Sequence, residues 1–239
     1  MPASAFERRP DEEAIYPLPA DARGGRVNEA GLAYLKWYYE ANIWKDLHYR
    51  GVRTLKLPLD MWNYQEIIFE RDIHWVLETG TRHGGSALFF ADLLAAAERE
   101  GCVVTIDVAH EALHPVAAGH PGIRFLLGDS AAESIKQQVM GLIPSRRRGG
   151  MLLILDSDHA ASHVLRELET WVPLLRKGDY VIVEDTIING HPVRPEFGPG
   201  PFEAITQYIA QNPGRLQRDE ARENKFECTF AVRGYFEVR

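Results

Sequence analysis

The chain has 239 residues, 45% of them hydrophobic and 26% charged, a composition that gives room for one large α/β domain or two small ones. A formal net charge of −7 argues against a general binder of nucleic acid or of anionic membranes, and the run Arg146, Arg147, Arg148 is too short to reverse that. No apolar stretch approaches the roughly 20 residues that span a bilayer and the amino terminus has no apolar signal core, so a cytoplasmic protein is expected.

Roughly the first 30 residues are rich in Pro, Gly, Ala and charge and predict an arm that orders only where something holds it. "LAYLKWYYEANIWKDLHY" follows, an aromatic-dense helix carrying Trp37, Tyr38, Tyr39, Trp44 and Tyr49. Such a helix serves as core or subunit contact, or as the wall of a substrate site. Residues 1–54 are therefore taken as an arm and aromatic helical segment, and 55–239 as a separate domain. In "PLDMWNYQEIIFERD" a short helix is expected with Asp60 as its N-cap.

From His74 onward strand and helix signals alternate. "HWVLETG" predicts a strand, "GGSALFFADLLAAAERE" a helix, "CVVTID" and "IRFLLGD" two strands, and "AAESIKQQVMGLI" a helix. After the loop "SRRRGG" come a strand in "MLLILD", a helix in "SHVLRELETWVPLLRKG" stopped by Gly178, a strand in "YVIVED" and a helix in "FEAITQYIAQN". A late strand in "FECTFAV" lies beside a shorter one near "RLQRDE". Short, continuously apolar strands separated by helices mean a mostly parallel sheet covered on both faces. Cys102 and Cys228 lie within apolar strand-like runs and are expected to be buried free thiols, since two cysteines make neither a disulfide framework nor a thiolate metal site.

Ligands of such a sheet bind outside the carboxyl ends of the strands. Those ends carry Glu78-Thr79-Gly80, Asp107, Gly128-Asp129, Asp156-Ser157-Asp158-His159 and Glu184-Asp185. Every one is acidic, which suits hydroxyls, an amine or sulfonium cation, and a metal. "ETGTRHGGS" puts Gly80, Gly84 and Gly85 in a tight strand-to-helix turn whose helix N–H groups face a ligand. The spacing is not G-x-G-x-x-G, because Arg82 and His83 interrupt it, and Glu78 would sit badly beside a pyrophosphate. A cationic nucleoside fits better, and S-adenosylmethionine is the candidate. Glu78, Gly80, Thr81, Gly84, Gly85 and Ser86 would serve its amino-acid end, Asp107 its ribose hydroxyls, and Asp129 with Ser130 its adenine. The competing view makes these a structural turn and caps, with Asp129 capping "SAAESI".

Neighbouring strands lie about 4.8 Å apart, so Asp156 can converge with Glu184 and Asp185 on one hard cation, Mg²⁺ first and Mn²⁺ second. Without a cation, buried like charges would repel. His159 stays open between a general base beside that ion and a filler of the first turn of the next helix. Ser157 and Asp158 are assigned to turn and cap, and His163 to packing or hydrogen bonding. The segment 189–201, rich in Gly and Pro, is either a lid over an acceptor, with His191 and Arg194 touching substrate, or a structural loop or oligomer contact.

"LPLDMWNYQEIIFE", "ETGTRHGGSALFFADLL", "LDSDHAASHVLRELE", "VEDTIINGHPVRPEFGPGPFEAI" and "TFAVRGYF" together resemble the cephalosporin hydroxylase / rhamnosyl O-methyltransferase family over residues 55–235. The resemblance implies a Rossmann-like class I methyltransferase fold, mostly parallel with helices on both faces and a late antiparallel strand. It further implies S-adenosylmethionine as donor, a divalent ion at Asp156, Glu184 and Asp185, a histidine base near it, and a homo-oligomer. The expected reaction is O-methylation of a sugar or another hydroxylated small molecule of natural-product type. A nicotinamide-dependent oxidoreductase and a non-catalytic cofactor-binding subunit are the alternatives. The missing glycine motif counts against the first, and the trio of acids against the second. A non-haem iron hydroxylase would need two histidines and a carboxylate, generally on a β scaffold.

Overall fold

The protein is described by a computed structural model over residues 29–239; the amino-terminal arm expected from the sequence falls largely outside these residues. Helix α1, Glu29–Glu40, stops at Asn42, whose φ of 58° is left-handed and incompatible with helix propagation. A 3₁₀ turn, Ile43–Asp46, and a small hairpin of β1, His48–Tyr49, and β2, Val52–Arg53, follow. The single long aromatic helix expected here is thus a helix, a turn and a hairpin.

Next come α2 (Pro58–Glu70), β3 (Ile73–Thr79), α3 (Gly85–Ala96), β4 (Val103–Asp107) and the single turn α4 (Pro115–Ala118). Then β5 (Ile123–Leu127), α5 (Glu133–Leu142), β6 (Gly150–Leu155), α6 (Ala161–Trp171) and β7 (Tyr180–Val183) complete the alternation. The chain closes with α7 (Pro201–Gln211), β8 (Leu216–Arg218), the turn α8 (Glu220–Glu223) and β9 (Tyr235–Val238). The strand order is β5-β4-β3-β6-β7-β9-β8. The first five strands in that order pair in parallel, and β9 is antiparallel to both neighbours.

Continuous apolar strands are needed because both faces are covered. On β6, Leu153 and Leu155 join Val164, Leu168, Trp171 and Ile205 on one face, whereas Leu152 and Ile154 join Tyr64, Ile67, Leu88 and Phe90 on the other. A third, smaller cluster buries Leu35 and Tyr38 of α1 against Leu57, Ile187, Ile188 and Phe230. Among the described residues, no helix is long and apolar enough to cross a membrane.

Two local expectations are corrected. "FECTFAV" is not a strand; the ladder partner of β7 is "YFEV", Tyr235–Val238. Cys228 and Phe230 are buried in the third cluster and Ala231 in the larger one with Tyr64 and Phe90, and Phe230 N–H donates to Asp60 Oδ2 (2.8 Å) rather than to a sheet neighbour. Asp60 is not an N-cap, because α2 starts at Pro58 behind Leu57. It is fully buried and also accepts from Tyr235 OH at 2.8 Å. Both cysteines are free, with Cys228 buried and Cys102 partly so.

Candidate active site

The chain leaves β3 toward β4 on one side and returns to add β6 on the other, so the switch point of the sheet lies between β3 and β6, where open α/β sheets take their ligands. Register does the rest. Gly80 N–H donates to Ile106 O at 2.8 Å, Asp156 N–H to Thr79 O at 3.1 Å and Glu184 N–H to Leu155 O at 3.0 Å, so the residues just after β3, β4, β6 and β7 lie side by side along one edge.

At the switch point Gly80 (φ 91°) sits so close to β6 that a Cβ would lie 1.9 Å from the Asp156 carbonyl oxygen. Gly85 is equally confined, with Thr54 Oγ1 at 2.1 Å from where its Cβ would be. These glycines therefore serve close packing of the turn against protein, beyond any service to a ligand. Glu78 is completely buried and accepts from Thr105 Oγ1 at 2.8 Å, which also meets Thr81 Oγ1 at 2.8 Å. Its Oε1 has no partner among the described residues, and burial, opposed by Lys56, Ser86 and Thr105, raises its pKa to about 7. An orphaned buried acceptor of this kind fits a cationic ligand group.

Asp107 takes Arg82 N–H on Oδ2 (2.8 Å) and Ala109 N–H on Oδ1 (3.3 Å), so its carboxylate is oriented by the glycine turn. Asp129 accepts from Ala131 N–H at 2.9 Å, a turn contact that with Arg166 holds its pKa down. The helix α5 itself begins later, behind Ala132. Ser130 is buried and its hydroxyl is committed to Glu167 and to His163 Nε2 (3.1 Å).

In the join after β6, Asp158 Oδ1 accepts from Ala160 N–H at 2.8 Å, a turn contact. Ser157 is not a cap: it donates to Glu167 Oε1 at 2.7 Å. His159 precedes α6, which starts at Ala161, and so does not fill a helical turn. Its Nε2 lies 3.5 Å from Asp185 Oδ2. Asp185, two residues past the end of β7, adopts φ 53°. Asp156, His159 and Asp185 each offer a ligand atom within 4.8 Å of the others.

Glu184 is held differently. Its Oε1 accepts from Lys56 Nζ at 2.7 Å and from Tyr64 OH, while Lys56 Nζ also meets Asp156 Oδ2 at 2.5 Å. Burial works against the charge on Lys56, but Asp156, Glu184 and Glu78 outweigh it and raise its pKa. Burial raises Asp156 to about 6 and Glu184 as well, against the pull of Lys56. The repulsion expected between these acids is thus partly relieved by a lysine, and breaking a buried pair of this kind costs about 3–5 kcal/mol.

The loop 189–201 is built rather than loose. His191 stacks on Phe202 at 3.8 Å and its Nε2 meets Glu203 Oε1 at 2.8 Å; Asn189 Nδ2 donates to the same oxygen at 3.1 Å. Glu203 also accepts Gly200 N–H at 2.7 Å. Arg194 is 47% exposed and lies over the Phe197 ring at 4.9 Å.

Lys56, Tyr64 and Glu167 did not stand out in the sequence. Lys56 interrupts an apolar run, "LKLP", and Glu167 falls on the same stripe of α6 as Val164, Leu168 and Trp171. A charge on an apolar stripe is the signal that could have found both.

The strand order is that of the class I methyltransferase fold. The sequence profile of the Rhamnosyl O-methyltransferase/CmcI family matches residues 41–238, and the chain belongs to that family. It is 45% identical over 202 residues to a rhamnosyl O-methyltransferase of Mycobacterium leprae (strain TN), covering 84% of this chain and 87% of that protein. The Mycobacterium tuberculosis (strain ATCC 25618 / H37Rv) rhamnosyl O-methyltransferase is 44% identical over 202 residues, 84% of this chain and 82% of its own. A solved CmcI structure with Mg and S-adenosylmethionine aligns with a TM-score of 0.64 at 22% identity, over 82% of this chain and 77% of that one. An O-methyltransferase from Bacillus cereus, in complex with S-adenosylhomocysteine, aligns at 0.54 and 17% identity, over 87% of each chain. These two are likenesses of fold.

Proposed function

We propose that the chain transfers the methyl group of S-adenosylmethionine to a hydroxyl of a sugar, or of another hydroxylated small molecule of natural-product type, with a divalent ion, Mg²⁺ or Mn²⁺, at Asp156, Glu184 and Asp185. The observation that carries this is the contact of Gly80 with Asp156, which sets the glycine turn suited to a sulfonium nucleoside directly against the acids suited to an ion. The names of the mycobacterial relatives support a sugar acceptor, and the CmcI structure with Mg and S-adenosylmethionine supports the two cofactors. The donor set is compatible with such an ion: Asp156 and Glu184 each give one oxygen to Lys56, and neither is fully engaged by that bond.

The donor would supply an electrophilic methyl group, and the ion a positive charge that favours the alkoxide form of the acceptor. Glu78 would receive the donor's cationic end on its unpartnered oxygen, and Asp107 its ribose hydroxyls. Gly80, Thr81, Gly84, Gly85 and Ser86 would wall the same pocket, with Asp129 and Ser130 at the adenine end. His159 would take the acceptor proton on its imidazole, oriented by Asp185 at 3.5 Å. Arg194 would touch the acceptor from the 189–201 loop. His191, tied to Glu203 and Phe202, would contribute one ring edge to the same wall. The exposed aromatic face of α1, Tyr34 and Trp37, suits a contact in a homo-oligomer.

Calorimetry of the full chain with S-adenosylmethionine and with NADH, each with and without Mg²⁺, tests the reading. Binding of S-adenosylmethionine alone is expected, and Asp185→Ala should keep that binding while losing metal-dependent methyl transfer. Binding of NADH in its place would overturn the assignment.

A further inference from the structure

Lys56 has no part in the reaction drawn above, yet it is buried between two of the acids proposed to hold the ion. Its side chain is 4% exposed, with Nζ 2.5 Å from Asp156 Oδ2 and 2.7 Å from Glu184 Oε1. Its main chain is pinned as well. Lys56 N–H donates to Thr54 O at 3.0 Å, Lys56 O accepts from Tyr38 OH at 3.3 Å, and Thr54 packs against Gly85 at the start of α3. The stem therefore starts from a fixed main chain and ends on two carboxylates.

We infer that Lys56 is the resident counter-cation of the ion site, holding Asp156 and Glu184 together when no divalent ion is bound and setting the charge the ion must balance. The inference rests on the reading of Asp156, Glu184 and Asp185 as ion ligands. When ionised, those three acids carry three negative charges; Lys56 cancels one and leaves two, the charge of one divalent cation. Only one oxygen of each of Asp156 and Glu184 is bonded to the ammonium, so lysine and ion engage the acids together rather than in exclusion. The other charged and titratable groups near the acids are Glu78, Tyr64 with its hydroxyl on Glu184, His159 on the β6 loop, Asp60 and Tyr235 near Glu184, and Tyr39 near Asp185. Of these only His159 can add positive charge, and its nearest acid is Asp185. With Lys56 neutralised, Asp156 and Glu184 would face each other with no fixed cation between them.

The test uses the full chain without donor or acceptor, titrated with Mg²⁺ alone. Thermal melts with and without saturating Mg²⁺, and calorimetric Kd values, are compared for the wild type, Lys56→Met and Lys56→Arg. Lys56→Met should melt lower than the wild type without Mg²⁺, gain at least twice the wild-type Tm shift on adding it, and bind it about tenfold more tightly. Lys56→Arg, which keeps the charge, should show the wild-type shift. Should Lys56→Met not fold in the absence of Mg²⁺, Lys56→Gln carries the same comparison. Folding of either variant only with Mg²⁺ is the expected result in its extreme form, and folding in neither condition overturns the inference. Equal Mg²⁺ shifts in wild type and Lys56→Met would also overturn it, leaving Lys56 a purely structural ion. A wild type that binds no Mg²⁺, and no Mn²⁺ when that ion is titrated in its place, would instead remove the ion site itself, and this inference with it.

Discussion

Gly80→Ala isolates the contact that joins the two halves of the site. The added Cβ would lie 1.9 Å from Asp156 O and 2.6 Å from Asp156 C. Both are main-chain atoms, so no rotamer change relieves the clash, and the ends of β3 and β6 must part by about 1.5 Å to restore van der Waals distance. The φ of 91° adds a conformational cost of roughly 1–2 kcal/mol, and forcing an extra carbon into packed structure adds roughly 1–3 kcal/mol. The sum, about 2–5 kcal/mol, is a large share of the roughly 5–15 kcal/mol that stabilises a native domain. Gly178 provides the control, since it has the same φ of 91° with nothing within 4 Å of a Cβ, and Gly178→Ala should lose only the conformational part. Urea unfolding followed by circular dichroism measures both variants, and calorimetry of the folded fraction measures S-adenosylmethionine. Gly80→Ala is expected to fall below Gly178→Ala by about 1–3 kcal/mol and to bind the donor at least tenfold more weakly. Equal losses in the two variants would refute the claim that this close approach builds the site.

Two further outcomes follow from buried acids. Glu78 is raised from 4.5 to about 7, chiefly by burial, so its contribution to stability is full below pH 4.5 and is lost as the pH rises through about 7. Glu78→Gln does not titrate, and its Tm relative to wild type should climb between pH 5 and pH 8; a flat difference would contradict the raised pKa. Asp60→Ala strips the acceptors from Phe230 N–H and Tyr235 OH and should cost about 2–6 kcal/mol in urea unfolding, each orphaned buried donor costing about 1–3 kcal/mol. Asp60→Asn keeps an acceptor oxygen and should lose less.

The alternation of β3 through α7 was legible because strand length, helix period and stop residues are local, and the acid at the end of each central strand could be read off once the strands were placed. The glycine turn was legible too, although its reason was incomplete: Gly80 and Gly85 face neighbouring main chain and Thr54 as tightly as any ligand would require. "FECTFAV" misled because an apolar, β-branched run is equally suited to a ladder and to a buried irregular segment, and here its main chain bonds to Asp60 and Thr186 side chains in place of a strand.

Sequence alone determined which residues end the strands and hence which acids share an edge. Tertiary structure decided what those acids touch. Lys56 reaches Asp156 and Glu184 across 100 and 128 residues, and Asp60 reaches Phe230 and Tyr235 across 170 and 175. Hydrophobic periodicity records which side of an element is buried and says nothing about which distant charge will be buried with it. A lone lysine in an apolar run therefore becomes a counter-ion only once the sheet has closed around it.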